Sequence, residues 1–135
     1  MSARRRAPAR PYLAVALGAV AGGYLRVVLS LLPATGSSSS WPWITFAVNV
    51  AGTFVLAFTV AYLAVRERHA SIVRPLVGTG FCGALTTFSA LQLEVFRMLR
   101  DGHVPLAAGY LGASILAGYA AFLLASAAGR RGVAR

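Results

Sequence analysis

The sequence predicts an all-α membrane protein of four transmembrane helices, the third of them broken. Three observations lead there. Of 135 residues, 58% are apolar and 12% charged, where a soluble domain carries roughly 45–50% and about 25%. The mean hydropathy is +0.70. The apolar residues also gather into four stretches, each long enough for the roughly 20 residues a helix needs to cross a bilayer at about 1.5 Å per residue. Thirteen Arg, no Lys and three acids give a net charge of +10. In a soluble protein that charge would suggest nucleic acid. Here most Arg lie at the chain ends or in short connections, so they read as a topology signal and nucleic acid is not an expected partner. The single Cys82 excludes an intramolecular disulfide and any multi-cysteine metal site. Arg without Lys in an Ala-rich chain also suits a GC-rich bacterial genome.

The first span covers 12–32, opened by Pro11 and closed by Pro33 and the polar run Thr35 to Ser40. It is too long and too strongly continued for a signal peptide. The second covers 43–65, with Trp41 and Trp43 at the place of an interfacial aromatic belt and Arg66 at the other end. The third, 73–99, carries Gly78, Gly80 and Gly83 and then Thr86, Thr87 and Ser89, a composition that a regular helix does not favour. The fourth, 104–128, has small residues at Gly109, Gly112, Ala113 and Gly118, which let helices approach closely, and stops at Gly129 before Arg130 and Arg131. The connections leave no room for a soluble domain, so 1–135 is expected to be one four-helix membrane domain. No internal repeat is visible. Four helices enclose little by themselves, so a transport pathway is expected to form between subunits.

Arginine counts set the orientation. Arg4, Arg5, Arg6, Arg10, Arg66, Arg68, Arg74, Arg130, Arg131 and Arg135 fall on one side, ten in all, against Arg97 and Arg100 on the other. This predicts both termini in the cytoplasm, in a multi-pass protein of the bacterial inner membrane.

Polar residues inside a span must find a partner or face water. Asn49 sits mid-span with Thr45 and Thr53 four residues to either side and Gly52 beside them, one stripe of a helix. Tyr110 and Ser114 make a second stripe. Both stripes suit either hydrogen bonding between helices or a watery path. Arg26, near the far end of its span, is placed to anchor at the interface by snorkelling or to supply positive charge to a vestibule. Glu94, the one acid in any span, either pairs with Arg97 three residues on or acts as a proton or cation site. His69 and His103 fall in connections and carry no evident chemistry. The run from Gly78 to Ser89 would weaken a helix at mid-membrane, and irregular backbone persists there only where protein or a cavity satisfies it. Freed carbonyls suit a hard cation, while freed amides and hydroxyls suit an anion, so such a break can serve either sign of ion. A Gly-rich packing surface, with its hydroxyls bonded to the preceding turn, is the plainer alternative.

These residues resemble the CrcB/Fluc family of small bacterial fluoride channels over essentially the whole chain. Gly22-Gly23-Tyr24-Leu25-Arg26 is similar to the family's glycine-then-arginine motif, and Val48-Asn49-Val50-Ala51-Gly52-Thr53-Phe54 to its asparagine motif. Gly80-Phe81-Cys82-Gly83-Ala84-Leu85-Thr86-Thr87-Phe88-Ser89 is similar to its signature segment, and Tyr110 with Ser114 to the polar pair of the fourth span. The resemblance implies an antiparallel dimer with two narrow fluoride pores. It also implies a structural sodium ion, not transported, on backbone carbonyls that correspond to Gly83 and Thr86. The implied fluoride pathway runs past Asn49, Ser114, Tyr110 and the signature hydroxyls Thr87 and Ser89, and along the positive ring edge of Phe88. Glu94 matches a family acid near the pore. The family's second phenylalanine falls at Leu91 and its preceding hydroxyl at Ala90, so one ring contact is expected to be missing. The implied role is passive export of fluoride that entered as neutral hydrogen fluoride, and no nucleotide-binding loop is present to drive anything else.

An antiparallel pair of identical copies needs a chain that inserts both ways, which a ten-to-two Arg bias opposes. The expectation is therefore a heterodimer with a homologous, oppositely oriented subunit, a homodimer being the alternative. Two other functions are distinguishable. A small cation or drug exporter driven by protons wants an acid deep in the first span, where this chain has Arg26. A non-transporting assembly protein would be insensitive to Asn49→Ala or Phe88→Ala. An enzyme is not expected, since no nucleophile, base and orienting acid occur at helical spacing.

Overall fold

The computed structural model describes residues 9–32, 38–64 and 67–132, and their regular structure is entirely helical. Four helical stretches are long and apolar enough to cross a membrane: Ala9–Ser30, Trp43–Leu63, Ala70–Arg100 and Val104–Arg131, of 22, 21, 31 and 28 residues. Each is about 30 Å long or longer. Helix α1 (Ala9–Ser30) carries Pro11 in its first turn, where the amide would have no intrahelical partner in any case. Helix α2 (Trp43–Leu63) follows Pro42. The third span is composite. It opens with α3 (Glu67–Val73), widens into a π-helical segment (Arg74–Cys82), tightens to α4 (Gly83–Leu85), and resumes after Thr86 and Thr87 as α5 (Phe88–Arg100). Helix α6 (Val104–Arg131) completes the chain. Of the residues used to bound and orient the spans, Arg4, Arg5, Arg6, Pro33, Thr35, Arg66 and Arg135 lie outside the described residues.

Large apolar side chains point outward along all four spans; Val20 and Tyr24 are each 72% exposed and Leu116 71%. In water that surface would be a severe liability, whereas hydrocarbon is its proper solvent. With no hydrophobic drive between helices in lipid, close contact depends on small residues. Helix α1 lies along the π segment and α2 along α6, while α5 also packs on α6. Gly18 and Gly22, one turn apart on α1, sit against the backbone of Leu76 and Phe81, and a Cβ on Gly80 would come within 2.5 Å of the Val15 carbonyl. On α6 the close contact belongs to Gly129, where a Cβ would meet Ala61 Cβ at 2.8 Å and the Phe58 carbonyl at 2.9 Å. Gly109, Gly112 and Gly118, the small residues expected to bring helices together, meet nothing within the chain. They do not share a face, since Gly109 and Gly118 lie on opposite sides of α6 at helical spacing, but a methyl at any of them would find open space.

The π segment begins at Arg74-Pro75, where proline has no amide to donate, and the Arg74 guanidinium donates to the Leu63 carbonyl (2.7 Å), tying it to the end of α2. The α5–α6 connection is a Schellman turn: His103 N donates to Met98 O (2.8 Å), Gly102 N to Leu99 O (3.2 Å), and Gly102 takes φ +83°. Beside it, hydrogen bonds from Arg100 and then Ser38 hold the Asp101 carboxyl below the usual carboxylate range. The buried cluster lies near this end, with Leu91, Met98, Ala107 and Tyr110 packed against Trp41, Phe46, Val95 and Leu106. Trp41 meets the Tyr110 ring edge-on at 5.4 Å and 86°.

Candidate functional site

The site grows from the two extended residues of the third span. Thr86 (φ −75°, ψ 152°) and Thr87 (φ −148°, ψ 118°) leave helical geometry between α4 and α5. Thr86 closes the upstream turn, its amide and hydroxyl both donating to the Cys82 carbonyl at 3.0 and 2.8 Å. Thr87 opens the downstream one, its hydroxyl accepting from Ala90 N at 3.1 Å as the N-cap of α5. What remains is the Thr87 peptide itself, and Asn49 meets both halves of it. Thr87 N donates to Asn49 Oδ1 (2.8 Å), and Asn49 Nδ2 donates to Thr87 O (3.0 Å). The amide orientation follows from chemistry, because a backbone N–H can only face the oxygen of the carboxamide. Gly52, one turn from Asn49, makes room: a Cβ there would collide with the Thr86 methyl.

In an uninterrupted α-helix the Thr87 amide would donate to the Gly83 carbonyl. Asn49 takes that amide, so the Gly83 carbonyl does not receive it, and Gly83, Thr86, Thr87, Asn49 and Phe88 are among the residues lining a cavity of about 300 Å³. Among the described residues no group of three or more His, Cys, Asp or Glu could hold a metal. The donors on offer here are neutral carbonyl oxygens, a set that suits a hard ion of low charge better than a transition metal.

Two further cavities adjoin this one. A groove of about 370 Å³ is lined by Asn49, Thr53, Phe88, Leu91 and Ser114. The Ser114 hydroxyl is buried and has no hydrogen-bond partner, while the Phe88 ring is 70% exposed. Thr53 spends its hydroxyl on the Asn49 carbonyl (2.8 Å). The other cavity, about 250 Å³, is lined by Arg26, Ser30, Thr45, Thr87 and Glu94. Asn49 and Phe88 thus border the first and the groove, and Thr87 borders the first and the Arg26 cavity, so the interruption stands where all three meet.

Glu94 does not pair with Arg97; among the described residues the one ion pair joins Arg100 and Asp101. Its carboxylate accepts instead from Thr45 (2.6 Å) and from the Tyr110 hydroxyl (2.7 Å). Two neutral donors fix its orientation in a partly buried place. Tyr110 is 0% exposed and lines none of these cavities, so it orients Glu94 and stands apart from Ser114. Ser89 is exposed, its hydroxyl 3.2 Å from that of Thr87. Leu91 lies where the buried cluster meets the groove. Thr45 was legible in the sequence only as a member of the Asn49 stripe, without its Glu94 partner, and Gly18, which went unnoticed, carries a signal in its spacing to Gly22.

The CrcB-like family, described as CrcB-like protein, camphor resistance, matches residues 13–126. The chain is 47% identical over 122 residues to "Fluoride-specific ion channel FluC 1" of Mycolicibacterium paratuberculosis, covering 90% of this chain and 92% of that protein. It is 43% identical over the same shares to "Fluoride-specific ion channel FluC 1" of Mycobacterium tuberculosis. A third similarity, 39% over 84% of this chain and 90% of the relative, is to "Fluoride-specific ion channel FluC" of Hyphomonas neptunium. With the family model matching residues 13–126 and relatives 39–47% identical over 84–90% of its length, the chain belongs to the CrcB family.

Proposed function

We propose that this protein is a fluoride-selective channel that lowers cytoplasmic fluoride by letting the anion leave down its gradient. The observation that carries this is the buried, unpartnered Ser114 hydroxyl in a groove shared with Asn49 and the exposed Phe88 ring. A buried hydroxyl without a partner costs about 1–3 kcal/mol, a cost an anion accepting from it would remove. Fluoride is small and strongly hydrated, so a selective path must replace its water with donors. Asn49 has one amide hydrogen left after serving Thr87, Ser114 offers its hydroxyl, the mutually bonded Thr87 and Ser89 hydroxyls keep one hydrogen between them, and the Phe88 edge is positive. Arg26, with the fixed Glu94 beside it, is a vestibule that draws anions in and sets how deep they settle.

On α6 the groove is bordered by Leu111, Ser114, Ile115 and Gly118, and beside Gly118 it is open, since a Cβ there would meet nothing within 4 Å. The reading that fits is an antiparallel dimer in which the partner closes each groove, the third span acting as a broken helix. A sodium ion on the carbonyls of Gly83 and Thr86 would be structural, supplying positive charge that holds the two breaks together. The Arg asymmetry favours a homologous, oppositely oriented partner over a second copy of this chain. The test is fluoride efflux from liposomes, read with a fluoride electrode in sodium medium. This chain alone should be silent, and co-reconstitution with the homologous subunit should give efflux while chloride is retained. Efflux from the chain alone would establish the homodimer, and silence in both would overturn the channel reading.

A further inference from the structure

We infer that Asn49 is a positioning residue for the cation site as well as a donor to the anion, and that one carboxamide couples the two. This deepens the channel reading and rests on it for the identity of the ion. Asn49 Oδ1 accepts the Thr87 amide at 2.8 Å and Nδ2 donates to the Thr87 carbonyl at 3.0 Å, so the amide that leaves the helix is satisfied by a side chain of α2. An amide at this depth does not stay unpartnered, because each unsatisfied backbone group in hydrocarbon costs several kcal/mol. Without Asn49 its nearest partner in sequence is the Gly83 carbonyl, four residues back, the bond a regular helix would form. Making that bond draws Thr87 into the helix and occupies the oxygen that the cation would need. Asn49 thus holds Gly83 free, and its amide plane, fixed by the same two bonds, aims the remaining Nδ2 hydrogen away from Thr87, on the side where the cavity and the Ser114 groove lie.

The sequence makes this testable without assigning a full spectrum. Asn49 is the one asparagine of the chain and Thr86–Thr87 the one Thr–Thr step. In protein labelled at Asn and Thr carbons and nitrogens, in bilayers, a dipolar contact between the Asn49 carboxamide carbon and the Thr87 amide nitrogen is expected. Its absence overturns the clamp. Unfolding temperature is then read in sodium and in a bulky organic cation. The unaltered chain, co-reconstituted with its partner if it does not assemble alone, should gain roughly 5 °C in sodium, as saturation of a folded-state site would give. Asn49→Ala should lose the gain. Ser114→Ala, which removes an anion donor and touches neither Thr87 nor Gly83, should keep it while losing efflux. Asn49→Asp retains an oxygen for the Thr87 amide and should also keep the gain, whatever it does to efflux, so it reports even if Asn49→Ala fails to fold. A gain kept in Asn49→Ala, or lost in Asn49→Asp, overturns the positioning role. No gain in the unaltered pair, with the dipolar contact present, overturns the sodium half while leaving the clamp.

Discussion

At Leu91 a single side chain serves two surfaces. It packs in the buried cluster with Met98, Ala107 and Tyr110 and also lines the groove beside Phe88 and Ser114. A leucine there fills space but has no positive ring edge to offer an anion. Leu91→Phe therefore has room to place its ring in the groove, and it is expected to raise fluoride efflux several-fold at a stability cost within about 1–3 kcal/mol. Efflux assays paired with thermal unfolding of the same preparation check both halves. Tyr110 works differently: wholly buried, it touches the lining of the Arg26 cavity through its hydrogen bond to Glu94. Tyr110→Phe removes one of two donors to that carboxylate and should cost about 1.5–3 kcal/mol. Its effect on efflux should be smaller than that of Ser114→Ala, and with Thr45→Val the stability costs should be non-additive, because both hydroxyls serve one group.

Among the elements, the third span is where sequence and structure diverge in an instructive way. The four spans were legible because hydrophobic length is a one-dimensional property. The site segment was legible because three glycines and three hydroxyls in a row have no good use in a lipid-facing helix. The Asn49 stripe was legible too, since helical periodicity puts Thr45, Asn49 and Thr53 together. Periodicity could not say that these three would serve three different partners: Glu94, the Thr87 peptide and the carbonyl of Asn49 itself. Nor could it reveal the π-helical register of Arg74–Cys82, which depends on how closely α1 can lie along it. That closeness rests on Gly18 and Gly22, and it yields a contrast between glycines that look alike in sequence. Gly22→Ala would drive a methyl into the Phe81 backbone, so a loss of at least about 1–3 kcal/mol is expected. Gly112→Ala meets nothing within 4 Å in the chain and should keep the single subunit's stability or raise it by up to about 1 kcal/mol. If the side of α6 at Gly112 is where the partner docks, Gly112→Ala should weaken association instead. Thermal unfolding and a detergent-phase dimerisation assay separate the two effects.

For the whole molecule, orientation decides what the channel can be made of. Gly129 of α6 and Gly132 just beyond its end lie against Phe58, Ala61 and Tyr62 of α2, and Arg74 bonds the Leu63 carbonyl, so Arg74, Arg130 and Arg131 gather at one end of the bundle. Arg26 lies far along α1, in the cavity it shares with Glu94. Charge at a single end is what fixes insertion, because Arg near the ends of spans resists translocation. With ten Arg on one side and two on the other, the unaltered chain should insert one way only, and an antiparallel pair then requires a different subunit. Removing Arg4, Arg5, Arg6, Arg10, Arg130, Arg131 and Arg135 leaves Arg66, Arg68 and Arg74 against Arg97 and Arg100, three against two, a bias too small to choose a direction. That variant is expected to insert both ways, read by the labelling of cysteines introduced in the first connection and the C-terminal tail of intact and opened vesicles. It should also show fluoride efflux without a partner, which is not expected of the unaltered chain, since copies of both orientations would now meet in one membrane. Dual insertion of the unaltered chain would remove the reason for a second subunit. Single insertion of the stripped variant would instead place the topological determinant in the second connection, where Arg66, Arg68 and Arg74 remain.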